Sequence, residues 1–165
     1  MKIKISGAVN DSIVDGIGLR FTLFTQGCPH HCKGCHNPQT HDFAGGFWSD
    51  TDEILKAISE NPLLDGITLS GGEPFLQPEP CTLLAKQVHQ MGLSVWAYTG
   101  YTWEALQQEA DPARMAFLQQ IDVLVDGPFL EEARSLELRF KGSSNQRTID
   151  VKRSFAENKI ILWEG

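Results

Sequence analysis

A chain of 165 residues, 41% hydrophobic and 21% charged, has the size and composition of a single domain, residues 1–165, built round one core. Its net charge of −7 repels phosphate backbones and argues against direct nucleic-acid binding. The longest apolar runs, such as Val95–Ala97 and Ile160–Trp163, are far too short for a membrane span; Met1 to Gly7 lacks the apolar stretch of a signal peptide, so the expected location is cytoplasmic.

Arg20 to Thr25 alternates polar and apolar residues between Gly18 and Gly27 and reads as a strand. A cysteine-bearing loop follows, to about Trp48. Asp50 or Thr51 can cap a helix with Ile54, Leu55 and Ile58 on its apolar face, ending near Asn61-Pro62. Gly66 to Ser70 is a short strand that breaks at Gly71-Gly72. A helix from about Pro80 to Met91 carries Leu83, Leu84 and Val88 on one face and stops at Gly92. Ser94 to Tyr98 is another strand, closed by Thr99-Gly100. Helical patterns cover Thr102 to Glu109 and Pro112 to Gln120. Ile121 to Val125 is a strand ending at Asp126-Gly127-Pro128, and the tail offers strands at Thr148–Val151 and Lys159–Leu162. Helices separating strands imply a mostly parallel α/β sheet or partial barrel. Ligands of such sheets bind at the strands' carboxyl ends. There the cysteine loop, Gly71-Gly72-Glu73-Pro74, Thr99-Gly100 and Asp126-Gly127 would gather.

Three of the four cysteines, Cys28, Cys32 and Cys35, fall in one loop with C-x3-C-x2-C spacing. Such clustering in a reducing compartment points to metal rather than to a disulfide. Thiolates suit iron–sulfur clusters or zinc. A zinc site would recruit His36 or His41 as a fourth ligand. Cys81 lies in a helical stretch and reads as a small buried residue, and His30, His31 and His41 as solvated loop residues. Arg20 to His41 holds Arg20, Lys33, four of the five histidines and no acid. It suits an acidic redox partner or an anionic cofactor, or is chance clustering.

The two glycines of Ser70-Gly71-Gly72-Glu73-Pro74 let the backbone approach a ligand closely, with carbonyls turned to an ammonium group; the alternative is a tight connection. Asp126, at a strand end, is placed to bind a ribose hydroxyl, to hold a cation near a cofactor carboxylate, or to act as a turn aspartate capping the next helix. Thr99 is placed similarly.

C-x3-C-x2-C after a first strand, followed by Gly71-Gly72-Glu73, resembles the radical S-adenosylmethionine (SAM) superfamily. The resemblance implies a truncated, partial (β/α) barrel and a [4Fe-4S] cluster on Cys28, Cys32 and Cys35. One iron is left open for the amino and carboxylate groups of SAM. It implies that Gly71, Gly72 and Glu73 bind the cofactor's amino group and that Gly34 and His36 contact its adenine. Gly34 departs from the aromatic residue common before the last cysteine. No catalytic side chain is implied beyond the cluster and SAM, whose cleavage yields a 5′-deoxyadenosyl radical.

Val14 to Phe24, Cys35-His36-Asn37-Pro38, Trp96 to Tyr101, Val125 to Phe129 and Arg139 to Arg147 narrow the resemblance. They are similar to the activating proteins of anaerobic (class III) ribonucleoside-triphosphate reductases. Implied partners are the large reductase subunit, whose glycine becomes a radical, and a flavodoxin-like electron donor. A truncated sheet leaves an open side for the partner's glycine loop. The alternatives are the activase of another glycyl-radical enzyme, of the pyruvate formate-lyase type, a small-molecule radical SAM enzyme such as a deazapurine synthase, and a zinc-stabilised binding module.

Overall fold

The computed structural model describes residues 1–165. Its strands are β1 (Lys2–Ser12), β2 (Arg20–Thr25), β3 (Phe47–Asp50), β4 (Gly66–Gly71), β5 (Ser94–Tyr98), β6 (Val123–Asp126) and β7 (Arg147–Asp150). Its helices are α1 (Thr51–Ser59), α2 (Pro78–Gln90), α3 (Trp103–Glu109), α4 (Pro112–Gln120) and α5 (Val151–Glu157). Aspartates start several of them: the Asp50 carboxylate accepts from the Asp52 amide, Asp111 from Arg114 and Asp150 from Arg153, which satisfies amides left free in a first helical turn.

The strands form one seven-stranded sheet in the order β3-β1-β2-β4-β5-β6-β7. The mostly parallel expectation holds for the middle, where β2, β4, β5 and β6 run parallel. It fails at both edges, where β1, β3 and β7 pair antiparallel. The cause is connection length and content. Residues 13–19 between β1 and β2, and segment 127–146 between β6 and β7, whose helical content is one 3-10 turn at Glu131–Ala133, supply no crossover α-helix, without which strands consecutive in the chain pair antiparallel. The order is linear, with β3 and β7 at opposite ends, so this pairing is an open sheet. Lys159–Leu162 is not a strand; it contributes one isolated bridge, Leu162 to Ile149. Val151, expected in a strand, begins α5 instead.

Period-two alternation gives the sheet two unlike faces. Ile3, Leu23, Ile67, Leu69, Val95, Ala97 and Leu124 pack with Ile54, Ile58, Leu84, Val88, Phe117 and Leu118 from the helices in a core cluster of 24 buried residues. The other face carries Trp96, Val123 and Val125, packed by Tyr98, Phe140 and Trp163, and the polar residues Arg20, Thr22, Thr68 and Ser70. Loop 13–19 folds over it. Buried Arg20 donates to Thr68 Oγ1 (2.8 Å), to the carbonyls of Ile17 (2.9 Å), Ile67 (2.9 Å) and Ser94 (3.0 Å), and to Ser94 Oγ (3.0 Å). These bonds use its full donor set, and burial still pushes its pKa down to about 10. Loop 13–19 is thereby pinned beside the cavity that lies at the strands' carboxyl ends.

Candidate active site

The cysteine loop is closed at its neck before any ligand is considered. The Gly27 amide donates to the Thr40 carbonyl (2.7 Å) and the Cys28 amide to that of His41 (3.2 Å). The Gln26 side-chain amide ties off Gln39 and Asp42 (3.1 and 2.6 Å). Within the loop, His31 and Gly34 take positive φ, which turns the chain back so that Cys28, Cys32 and Cys35 all line one cavity of about 370 Å³. The Asn37 amide donates to Cys35 Sγ at 3.4 Å. Burial pushes the Cys28 thiol up to about 11 and raises Cys32 as well, so these two thiols are protonated in the metal-free chain at neutral pH and metal uptake must release those protons.

Three soft thiol donors in one cavity suit iron and sulfide. Tetrahedral zinc thiolates at about 2.3 Å would sit roughly 3.8 Å apart. No three His, Cys, Asp or Glu side chains converge in that way, His36 and His41 included. All three thiols line the same cavity.

The glycine turn meets this loop directly. Gly71 has φ +91°, and a Cβ there would fall 2.5 Å from the Thr25 nitrogen; at Gly72 it would fall 2.5 Å from the Gly27 carbonyl oxygen. The glycines are therefore required for packing against the stem of the cysteine loop. The Gly72 amide donates to the Thr25 carbonyl (2.8 Å) and the Glu73 amide to that of Gly27 (2.9 Å). The Gly72 carbonyl accepts none of the loop hydrogen bonds, and Gly71 and Gly72 both line the cavity.

The Glu73 side chain is placed differently from expectation. It is fully buried and off the cavity wall. Its Oε1 accepts from Thr99 Oγ1 and the Gly100 amide (both 2.8 Å) and faces His30 Nε2 at 2.6 Å, while Oε2 accepts from the Phe75 amide (3.0 Å). His30 is correspondingly not a solvated loop residue: its side chain is 15% exposed. It lost its solvent because the Cys28–Cys32 span folds in over Gly100. Thr99 lines the cavity but spends its hydroxyl on Glu73.

Asp126 is turned away from the cysteines into a separate polar cleft. Its carboxylate accepts from the Trp103 amide (2.8 Å) and from Arg147 Nε and Nη2 (3.1 and 2.6 Å). It is the turn aspartate of the three alternatives, but it serves an earlier helix, α3, rather than the next one, because β6 ends beside the first turn of α3. Gly34 is exposed and stacks against Glu131 rather than on the cavity wall; His36 is on the wall, 5.1 Å from the Phe129 ring.

Segment 138–146 supplies wall residues to which the sequence assigned no chemistry: Leu138, Phe140, Lys141, Gly142 and Gln146. Gln146 Oε1 accepts from the Gly142 and Ser143 amides (2.9 and 3.2 Å), and its Nε2 donates to the Gly127 carbonyl (3.1 Å). Phe140 sits at φ +62°, held there by Tyr98 Oη donating to its carbonyl at 2.5 Å. That strained residue aims Lys141, the only lysine or arginine on the wall, whose Nζ donates to the Gln146 carbonyl at 3.0 Å. The usable signal was the Arg139–Arg147 segment itself, recognisable as a pattern but silent about direction.

A family model described as a 4Fe-4S single cluster domain matches residues 14–149. The anaerobic ribonucleoside-triphosphate reductase-activating protein of Haemophilus influenzae is 36% identical over 144 residues, covering 81% of this chain and 89% of that one. The protein of the same name from Escherichia coli K12 is 36% identical over 143 residues (81% and 90%), and that of enterobacteria phage T4 is 31% identical over 141 (81% and 85%). Among solved structures, QueE from Escherichia coli aligns with a TM-score of 0.48 at 17% identity, over 62% of this chain and 54% of that one.

Proposed function

The chain belongs to the family of anaerobic ribonucleoside-triphosphate reductase-activating proteins, with its four-iron, four-sulfur cluster domain, and from that premise we propose that it is the radical SAM enzyme that generates a glycyl radical on the reductase's large subunit. The observation that carries this reading is the convergence of three thiols and the Gly71-Gly72 turn on one cavity at the carboxyl ends of the parallel strands. Cys28, Cys32 and Cys35 would hold the cluster. When bound, a cluster with one open iron supplies the electron that cleaves SAM to methionine and an adenosyl group, which leaves as 5′-deoxyadenosine with the glycine's α-hydrogen.

The chain's own residues bind and orient. The Gly72 carbonyl, uncommitted on the wall, suits the cofactor's ammonium group. Lys141, a cation whose one internal bond is to a carbonyl, suits its carboxylate. His36 beside Phe129 offers a surface for adenine. Glu73 and Thr99 brace the turns beside the cavity from behind, while Asp126 anchors α3 and Arg147 outside it. The expected electron donor is a reduced flavodoxin-like protein. No helix is long and apolar enough to cross a membrane.

The test is anaerobic reconstitution with iron and sulfide, then reduction in the presence of SAM. 5′-Deoxyadenosine forms, Cys→Ala at position 28, 32 or 35 abolishes it, and Cys81→Ala spares it, since Cys81 is buried in α2. Full turnover by Cys32→Ala would overturn the ligand assignment. A glycyl EPR signal on the ribonucleotide reductase subunit, and none on a pyruvate formate-lyase-type enzyme, identifies the target.

A further inference from the structure

The span between the first two cysteines is fastened to the fold at one point. Pro29 and His31 are exposed, whereas His30 between them is driven inward. Its ring meets Tyr101 edge-on, with centroids 4.6 Å apart. It lies so close over Gly100 that a Cβ there would clash with the ring. Its Nε2 reaches Glu73 Oε1 at 2.6 Å. That oxygen already accepts from Thr99 and Gly100 and has only lone pairs to give, so Nε2 carries the hydrogen. The carboxylate thus ties together the cysteine loop, the turn after β5 and, through the Phe75 amide, the turn after β4. It does so with no exposure to the cavity.

We propose that His30 is a positioning residue, clasping the Cys28–Cys32 span through Glu73 to the two turns that flank the cofactor, so that cluster ligands and cofactor turns are held in one register. The inference rests on the cluster reading above for its consequence, though not for the clasp itself. Outer partners that hold metal ligands in place typically govern loading and the electronic character of the centre. A glutamine places its side-chain nitrogen where Nε2 lies; an asparagine is one bond too short.

Two measurements on the full chain test it. In the metal-free protein, alkylation of Cys28 and Cys32 by iodoacetamide, followed by peptide mass mapping, runs roughly tenfold faster in His30→Ala and His30→Asn than in wild type, and near the wild-type rate in His30→Gln. Cys81, fully buried in α2, stays unreactive throughout and reports that the variants remain folded. After anaerobic reconstitution, His30→Ala and His30→Asn load less iron and shift the EPR signature and reduction potential of the reduced cluster; His30→Gln restores them. Equal thiol reactivity in all four proteins, or a glutamine no better than alanine, overturns the clasp. The clasp's alkylation pattern in a protein that takes up no iron or sulfide upholds it and sinks the cluster reading instead.

Discussion

Lys141 shows what one side chain contributes. The two groups proposed for the ends of the cofactor's amino-acid moiety, the Gly72 carbonyl and the Lys141 ammonium, come from turns far apart in sequence and share one wall. A charge-assisted hydrogen bond is worth about 1.5–3 kcal/mol, so Lys141→Gln is expected to weaken SAM binding about tenfold or more. Lys141→Arg keeps most of the affinity. Equilibrium dialysis on reconstituted protein reads the effect without turnover, and equal affinity for Gln and Lys would remove the residue from the site. The thiols make a second prediction. Cys28 is raised from 9.0 to about 11 and Cys81 is raised too, both by burial. At these two thiols the folded, metal-free chain therefore holds more protons than the unfolded chain above pH 9. Stability present below that pH is lost as the pH climbs through about 9 towards 11. The urea midpoint under reducing, anaerobic conditions should fall across that window, and a rising midpoint would refute the assignment. The clustering of the cysteines and the break at the glycine pair were legible in the sequence, while the roles read for them came from the family resemblance. The roles of His30 and Lys141 were not legible, because they depend on proximity across the fold: His30 and Glu73 lie 43 positions apart.

Among the elements, the turn after β4 is the most demanding. Gly71 combines a φ of +91° with a backbone approach that leaves no room for a Cβ beside Phe24 and Thr25. The left-handed conformation alone costs an L-residue roughly 1–2 kcal/mol, and the contact adds to it. Gly71→Ala should lower stability by about 2 kcal/mol or more by thermal denaturation, with poor iron loading, because the displaced strand β2 carries the cysteine loop. Unchanged melting would show that the turn can relax. The elements that read correctly, β2, α1, β4, α2, β5, α3 and α4, each had a clean period and a stop such as Gly92 or Thr99-Gly100. β1 was missed, although Lys2-Ile3-Lys4-Ile5 alternates with period two and Ile3 and Ile5 are buried. β3 was missed as well. Phe47 and Trp48 are exposed, so no burial pattern marks them, and pairing with β1 alone makes the strand. The α5 region misled because β-branched Val151 suggests a strand, while Asp150 caps a helix through the Arg153 amide.

For the whole molecule, the decisive feature is the asymmetry of the sheet. One face is sealed by helices into the main core. The other is covered only by loop 13–19, segment 127–146 and the tail, and between these the cavity opens. Apolar residues stand at its rim. Val14 lines the cavity yet is 69% exposed, its neighbour Ile13 is 72% exposed, and Leu136, two residues from the wall residue Leu138, is 87% exposed. On the proposed function, a glycine on another protein must reach the interior of this cavity, and the rim is where its backbone enters. Ile13 and Leu136 themselves lie off the wall, so an aspartate there leaves the cofactor's surroundings intact but places a charge, costly to bury, where an apolar contact would form. Ile13→Asp and Leu136→Asp should therefore form 5′-deoxyadenosine at wild-type rates in the absence of the reductase subunit. With the subunit present, each should give a glycyl EPR signal reduced about tenfold at limiting protein concentration, with recovery as concentration rises. Loss of SAM cleavage itself would mean that the rim belongs to the cofactor site. An undiminished glycyl signal would mean that the partner enters elsewhere, with the exposed face of loop 13–19 serving only to close the sheet.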